Sequence, residues 1–227
     1  SLISLDFDTA LLQVIETNVN IRARVISGGF IGSNKAVTFI NTPSTLPSLT
    51  KIDKTAFKLC KKHGIKNVAL SFANRGEDID ELRIIVGKNV RIIAKIESRL
   101  ALENLGEIID ASDAILIDRG DLSREIALES LPYIQKEIIH RANSCDVPVY
   151  VATNLLETMI ENLKPNRSEV NDVVNTLKDG ADGLVLAAET AIGKHPVSAV
   201  RMIKSLIYRY QNQITFLSED NFLPYTN

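Results

Sequence analysis

The sequence predicts an α/β protein with a parallel sheet, preceded by a short β-rich segment. Beyond residue 46, short and nearly unbroken apolar runs alternate with segments that repeat their apolar residues at helical spacing. Strands buried on both faces are typically such continuous apolar runs, as in parallel sheets covered by helices. Residues 1–45 lack the helical period, and Gly, Ser and Asn separate their β-rich runs.

The composition is that of a soluble globular protein. The chain has 227 residues, 45% of them hydrophobic, which suffices for a substantial core. Its formal net charge of -2 leaves no broad basic field, so we expect neither nucleic acid nor a membrane as partner. No apolar stretch has the length of a membrane span. Cys60 and Cys145 occupy apolar positions of helical patterns and are predicted to be buried thiols in a reducing cytoplasm.

The first segment is predicted to be an antiparallel patch or the tail of a β domain. Its β-rich runs are 11–14, 21–25 and 37–40. Residues 41–47 are rich in Pro, Ser and Thr, which is typical of a linker. Because Ser1 lies inside a predicted strand, we expect further residues upstream of it.

Five units of strand and helix follow. The predicted strands are 68–72, 90–96, 114–117, 148–152 and 184–187. Gly64, Gly87 and Gly180 follow helical stripes, as is typical of helix C-terminal ends. Ser98 is predicted to cap a helix, and Pro196 to be the first residue of the last helix. Five units are fewer than the eight of a (β/α)8 barrel, so either the sheet is open or the start of a barrel is absent from this chain.

Polar residues follow three predicted strands, at the edge where α/β enzymes keep their chemistry. Lys95 and Glu97 are two apart on a strand and therefore point to the same face. Glu97 and Asp121 together suit a hard divalent cation, Mg²⁺ or Mn²⁺, and the lack of His or Cys disfavours zinc. The alternatives are an internal salt bridge between Lys95 and Glu97 and a helix cap at Asp121.

Two further residues suit an anionic ligand. Gly120 permits close approach of the backbone, and the N–H groups at the turn there suit a carboxylate or phosphate. The Thr153 hydroxyl could donate to a substrate anion, although a Thr at a strand end is more often a cap or turn former.

Several segments resemble the signatures of the pyruvate kinase family, in the family's order and spacing. These segments are 93–97, 119–122, 152–159, 164–169 and 189–196. Residues 28–35 also resemble the stretch that leaves the family's inserted β domain. The resemblance implies part of a (β/α)8 TIM-type barrel. Residues 1–45 would be a β-rich remnant of the inserted domain with the re-entry to the barrel, residues 46–217 the barrel portion, and residues 218–227 a C-terminal tail.

The resemblance implies a glycolytic phosphotransferase that moves phosphoryl from phosphoenolpyruvate to ADP, giving pyruvate and ATP. Lys95 and Thr153 would be catalytic, with Lys95 stabilising the transferring phosphoryl group. Glu97 and Asp121 would hold Mg²⁺ or Mn²⁺, while Gly120, Asp121 and Thr153 would bind the substrate carboxylate. K⁺ is possible, but its family ligands are not in this chain. A cytoplasmic homo-oligomer is implied.

The chain departs from the family pattern at four positions near these residues. It has Asp118 where the family has Ala, Ser123 for Gly, Asn154 for Gln and Ala187 for Ser. Ala187 lacks a hydroxyl that the family associates with proton delivery to the enolate. Two alternatives therefore stay open: a regulatory or scaffolding module that binds metal and carboxylate, and another enolate-handling barrel enzyme acting on pyruvate or a 2-oxo acid. Because five strands leave unpaired sheet edges, we expect the chain alone to be inactive.

Overall fold

The computed structural model describes residues 1–6, 9–18, 20–40 and 47–212. The chain divides into two compact units, residues 1–47 and residues 48–227. Most of the predicted linker 41–47, and the whole of the predicted tail 218–227, lie outside the described residues.

The first unit contains a four-stranded antiparallel sheet with the order β3-β2-β1-β4. Its strands are β1 (Leu2–Leu5), β2 (Ala10–Thr17), β3 (Ile21–Ser27) and β4 (Val37–Ile40). The three β-rich runs fall within β2, β3 and β4, so the antiparallel patch is confirmed.

The second unit contains a five-stranded parallel sheet in which each strand pairs with the next along the chain. Its strands are β5 (Asn67–Leu70), β6 (Arg91–Ile96), β7 (Ala114–Asp118), β8 (Val149–Ala152) and β9 (Gly183–Val185). All five predicted strands are confirmed, with ends that shift by one or two residues. The predicted parallel α/β class is therefore confirmed for this unit.

Helices connect the parallel strands. They are α1 (Lys51–Lys62), α2 (Gly76–Val86), α3 (Arg99–Glu103), α4 (Leu105–Ala111), α5 (Arg119–Leu122), α6 (Leu131–Ser144), α7 (Arg167–Lys178), α8 (Ala188–Ala191) and α9 (Pro196–Gln211). The Ser98 hydroxyl accepts a hydrogen bond from the Ala101 N–H at 3.0 Å, so the predicted cap is confirmed. The single helix predicted after Ser98 is divided at Asn104 into α3 and α4.

The sheet buries one face against helices. On β6, Ile92, Ala94 and Ile96 are fully buried; α2 contacts β6 itself, and α6 contacts β7 and β8. The alternate residues Ile93 and Lys95 are half-buried. The sequence predicts helices over both faces, but within residues 48–212 only one face is fully covered.

One cysteine differs from its prediction. Cys60 is partly buried and packs against the core, whereas Cys145 is exposed. Cys145 is the residue that ends α6, where the chain turns away from the helix axis, so it does not continue the apolar stripe of that helix. Among the described residues, no helix has both the length and the apolar character needed to cross a membrane.

The N-terminal end of α7 allows a clean stability prediction. The Asn166 side chain accepts from the Glu169 N–H at 2.9 Å, and the Glu169 carboxylate accepts from the Asn166 N–H at 2.9 Å. We expect Asn166→Ala to lower the free energy of unfolding by about 1 kcal/mol, because one N–H of the first turn loses its partner. Asn166→Gly is the control and should cost only a few tenths of this. Chemical denaturation followed by circular dichroism measures both, and equal losses would contradict the capping role.

Candidate functional site

The register of the parallel sheet brings the predicted site residues to one edge. Ile96 of β6 pairs with Ile117 of β7, and Asp118 at the end of β7 pairs with Ala152 of β8. Glu97 directly follows β6, and Thr153 directly follows β8. Both residues therefore lie at the same edge of the sheet as Asp118, which ends β7. The alignment follows from the parallel pairing, which sets the carboxyl ends of consecutive strands side by side.

Lys95 lies between two carboxylates. Its ammonium Nζ is 2.6 Å from Oε1 of Glu97 and 3.0 Å from Oδ2 of Asp118. Glu97 is 1% exposed and the Lys95 side chain 22% exposed. The salt bridge considered as an alternative for Lys95 and Glu97 is therefore present, and it holds the ammonium at the carboxyl edge of the sheet.

Glu97 is also bound through its other oxygen. Oε2 accepts a hydrogen bond of 2.6 Å from the N–H of Phe72, which follows β5. Phe72 adopts a left-handed backbone conformation, with a φ of 49°. Such a conformation is costly for a non-glycine residue and is common at functional sites. The backbone of the first strand end is therefore shaped to hold the Glu97 carboxylate.

The pKa values of the pair are shifted by burial and by each other. Burial raises the pKa of Glu97 above its ordinary value, although the Lys95 ammonium and the Phe72 N–H both favour the ionised form. Burial alone would lower the pKa of Lys95, but its hydrogen bonds to Glu97 and Asp118 outweigh this and raise it. Lys95 is therefore a cation at neutral pH.

Three carboxylates converge beside this ammonium. Glu97, Asp118 and Asp121 each offer one oxygen, and the three oxygens lie within 4.8 Å of one another. An all-oxygen, anionic donor set fits Mg²⁺ or Mn²⁺. The sequence predicts two of these acids, Glu97 and Asp121, as metal ligands, and the structure places Asp118 beside them, which the sequence marks only as a departure from the family.

Asp121 lies within the short helix α5 and does not cap it. The residue at the N-cap position of α5 is Asp118, whose side chain makes no capping hydrogen bond. Asp121 forms an ion pair with Arg124, one turn further along the chain. The helix cap considered as an alternative for Asp121 is therefore wrong, because the helix begins at Arg119 and its N-cap position is that of Asp118.

Thr153 connects two strand ends. Its Oγ1 accepts a hydrogen bond of 2.8 Å from the Gly120 N–H, and the same hydroxyl lies 2.6 Å from the Ala152 carbonyl and 3.2 Å from Oδ1 of Asp118. Its φ is 69°, again in the left-handed region. The Gly120 N–H, which the sequence predicts for a substrate carboxylate, is thus directed to the Thr153 hydroxyl. Within the structure this donor is therefore already hydrogen-bonded.

Arg119 holds the backbone of Thr153 by hydrogen bonds to its carbonyl. It is 8% exposed, and its Nε and Nη2 donate to the Thr153 carbonyl at 3.1 and 2.7 Å. Its Nη1 donates to Oδ2 of Asp172 on α7 at 2.7 Å. The sequence patterns predict no role for Arg119. The available signal was a permanent cation placed directly after a buried strand, where it has to find acceptors.

Glu189 is a second buried polar residue for which the sequence predicts no role. It is 2% exposed, and its two oxygens accept from the N–H groups of Leu156 at 3.0 Å and Ala187 at 2.9 Å. It therefore connects the segment after β8 to the segment after β9.

A cavity of about 460 Å³ is lined in part by Arg119, Ser123 and Asn154. None of Lys95, Glu97 and Asp121 lines it, so it is distinct from the carboxylate cluster.

The raised pKa of Lys95 predicts how stability depends on pH. A cation held by carboxylates in the folded state stabilises that state below its unfolded pKa of about 10.5, and the stabilisation is lost as pH rises through the higher folded value. We therefore expect the difference in thermal midpoint between the unsubstituted chain and Lys95→Met to be constant from pH 7 to about 9 and to shrink above about 10.5. Thermal denaturation of both proteins across this range measures the difference, and a gap that widens at high pH would contradict the shift.

Comparisons with known proteins identify the family. The family model described as "Pyruvate kinase, barrel domain" matches residues 3–200. The chain is 41% identical over 211 residues to "Pyruvate kinase" of Thermotoga maritima, which covers 91% of this chain and 45% of that protein. It is 37% identical over 207 residues to "Pyruvate kinase 2" of Synechocystis, covering 89% and 35%, and 37% identical over 205 residues to "Pyruvate kinase" of Mycobacterium tuberculosis, covering 89% and 43%. The chain thus spans less than half the length of these curated relatives. It belongs to the pyruvate kinase family.

Proposed function

We propose that this chain supplies the metal-binding and phosphoryl-stabilising part of a pyruvate kinase site, which moves phosphoryl from phosphoenolpyruvate to ADP. The observation that carries the proposal is the Lys95 ammonium held beside three carboxylates at adjoining strand ends. Phosphoryl transfer needs little covalent help from a protein and depends on positioned cations that stabilise charge on the transferring group. A lysine and a divalent-cation site at one sheet edge meet that need.

Each residue of the site has a proposed role that follows from its chemistry. Glu97 and Asp121 would hold Mg²⁺ or Mn²⁺, which when bound would neutralise charge on the substrate oxygens. Lys95 would stabilise the transferring phosphoryl group. The Thr153 hydroxyl and the backbone of Gly120 and Asp121 would bind and orient the substrate carboxylate. The family resemblance also favours K⁺ as a second cation, with ligands from outside this chain.

We propose further that residues 46–217 are the later part of a (β/α)8 barrel and that residues 1–45 come from the inserted β domain. The consecutive order β5 to β9 supports this, since barrel strands pair in chain order. In this proposal strands from outside residues 48–212 pair with β5 and β9. The family membership favours a cytoplasmic homo-oligomer as the working form.

A chimera tests the proposal directly. Residues 3–200 would replace the matching part of Thermotoga maritima pyruvate kinase, so that this chain supplies the carboxylate cluster and the relative supplies the rest. We expect pyruvate to form from phosphoenolpyruvate and ADP only when Mg²⁺ is present. A folded chimera that forms no pyruvate overturns the proposal.

A second function is favoured by two particular observations. Asp118 shares the Lys95 ammonium with Glu97, and Ala187 contributes no hydroxyl at the end of β9. Both changes fit a module that binds metal and a small carboxylate without transferring phosphoryl. The same chimera separates the two functions: binding of Mn²⁺ and pyruvate without turnover supports the module. Exchange of the pyruvate methyl protons without nucleotide would instead support an enolate-handling enzyme.

A further inference from the structure

The position of Asp118 has a consequence for metal binding. Asp118 is 8% exposed, and its two oxygens face different groups: Oδ2 lies 3.0 Å from Nζ of Lys95, and Oδ1 lies 3.2 Å from Oγ1 of Thr153. One buried carboxylate therefore contacts both Lys95, proposed to stabilise the transferring phosphoryl group, and Thr153, proposed to orient the substrate. An alanine at this position could make neither contact.

Glu97 has two cations competing for one oxygen. Its Oε2 is bound by the Phe72 N–H, which leaves Oε1 for the Lys95 ammonium at 2.6 Å. Mn²⁺ or Mg²⁺ bound by Glu97 and Asp121 would meet the positive charge of Lys95 at this same oxygen. Like charges at such short range repel strongly in a partly buried site, so the ammonium needs another anion when the metal enters.

We propose that Asp118 is a positioning residue that retains the Lys95 ammonium at the strand ends when Glu97 and Asp121 bind the divalent cation. In the structure the Lys95 ammonium contacts both Glu97 and Asp118. On metal binding Glu97 passes to the metal and Asp118 keeps the ammonium. The proposal rests on the metal site of the proposed function and adds to it a residue that acts through Lys95.

The test measures Mn²⁺ binding by the chain itself, by electron paramagnetic resonance of free Mn²⁺. We expect Asp118→Asn to weaken Mn²⁺ binding by about tenfold, the size of effect typical of residues that position metal ligands. Asp118→Ala is a second variant in case the amide misplaces Lys95. Asp110→Asn, on the exposed side of α4, removes the same charge at a distance and should leave the affinity unchanged.

Two readouts separate positioning from direct ligation. In a Lys95→Met background, Asp118→Asn should change the affinity less than about twofold, because no ammonium remains to be held. The number of water molecules on Mn²⁺, counted from line broadening in ¹⁷O-enriched water, should be the same with and without Asp118. An undiminished loss of affinity in the Lys95→Met background, or one additional bound water, would overturn the proposal and make Asp118 a ligand.

A further pair of variants tests the metal site of the proposed function independently of Asp118. Glu97→Gln and Asp121→Asn should each weaken Mn²⁺ binding whatever Asp118 does. If neither variant weakens it, the metal site of the proposed function is wrong, and the inference about Asp118 falls with it. If both weaken it but Asp118→Asn does not, only the inference is overturned.

Discussion

Lys95→Met in the chimera is expected to lower the rate of phosphoryl transfer by about 10²–10³-fold, the loss typical when one donor to a developing oxyanion is removed. Met keeps the length of the side chain but removes the charge that would face the transferring phosphoryl group. The rate of pyruvate formation at saturating phosphoenolpyruvate and ADP measures the effect. It should appear mainly in kcat, since the lost interaction is strongest in the transition state.

The control for this prediction lies at the other end of the same strand. Lys88 is exposed in the connection between α2 and β6, so Lys88→Met removes an equal charge far from the strand ends. Its rate should stay within about twofold of the unsubstituted chimera, because an exposed charge at that distance is screened by salt. Similar losses from Lys88→Met and Lys95→Met would show that the charge matters only for stability or solubility.

The sheet could be predicted from the sequence because its strands are continuous apolar runs bounded by helices of clear period. The grouping of Lys95, Glu97 and Asp121 could be predicted for a related reason: parallel strands place their carboxyl ends at one edge. Both predictions depend on local patterns together with a general rule of sheet geometry. Neither requires knowledge of which side chains touch.

The remaining features depend on contacts between residues distant in sequence. The bond from Phe72 to Glu97 spans 25 residues, and the bonds from Arg119 to the Thr153 carbonyl span 34. No local pattern specifies that the Gly120 N–H is bound by Thr153, because this depends on the left-handed backbone after β8. The role of Asp118 likewise needed the register that sets β6 beside β7.

Arg119→Met should be the most destabilising substitution among those considered, at about 3 kcal/mol. Met fills a similar volume but leaves the Thr153 carbonyl without its two donors and Asp172 without its partner. Only the Arg119 side of this ion pair is buried, so most of the cost comes from the Thr153 carbonyl, which is left in a partly buried position without its donors. Chemical denaturation measures the loss of unfolding free energy.

Arg141 provides the matched comparison, because its ion pair has the same length in a different environment. The Arg141–Glu137 pair on α6 and the Arg119–Asp172 pair both have an N–O distance of 2.7 Å. The side chains of Arg141 and Glu137, however, are each 55% exposed. Arg141→Met should therefore cost no more than about 0.5 kcal/mol. If the two substitutions lower the free energy of unfolding equally, neither the burial of Arg119 nor its hydrogen bonds to the Thr153 carbonyl contributes to stability. If Arg119→Met alone is costly and also weakens pyruvate binding in the presence of Mn²⁺, this buried guanidinium holds Thr153 in place for the substrate.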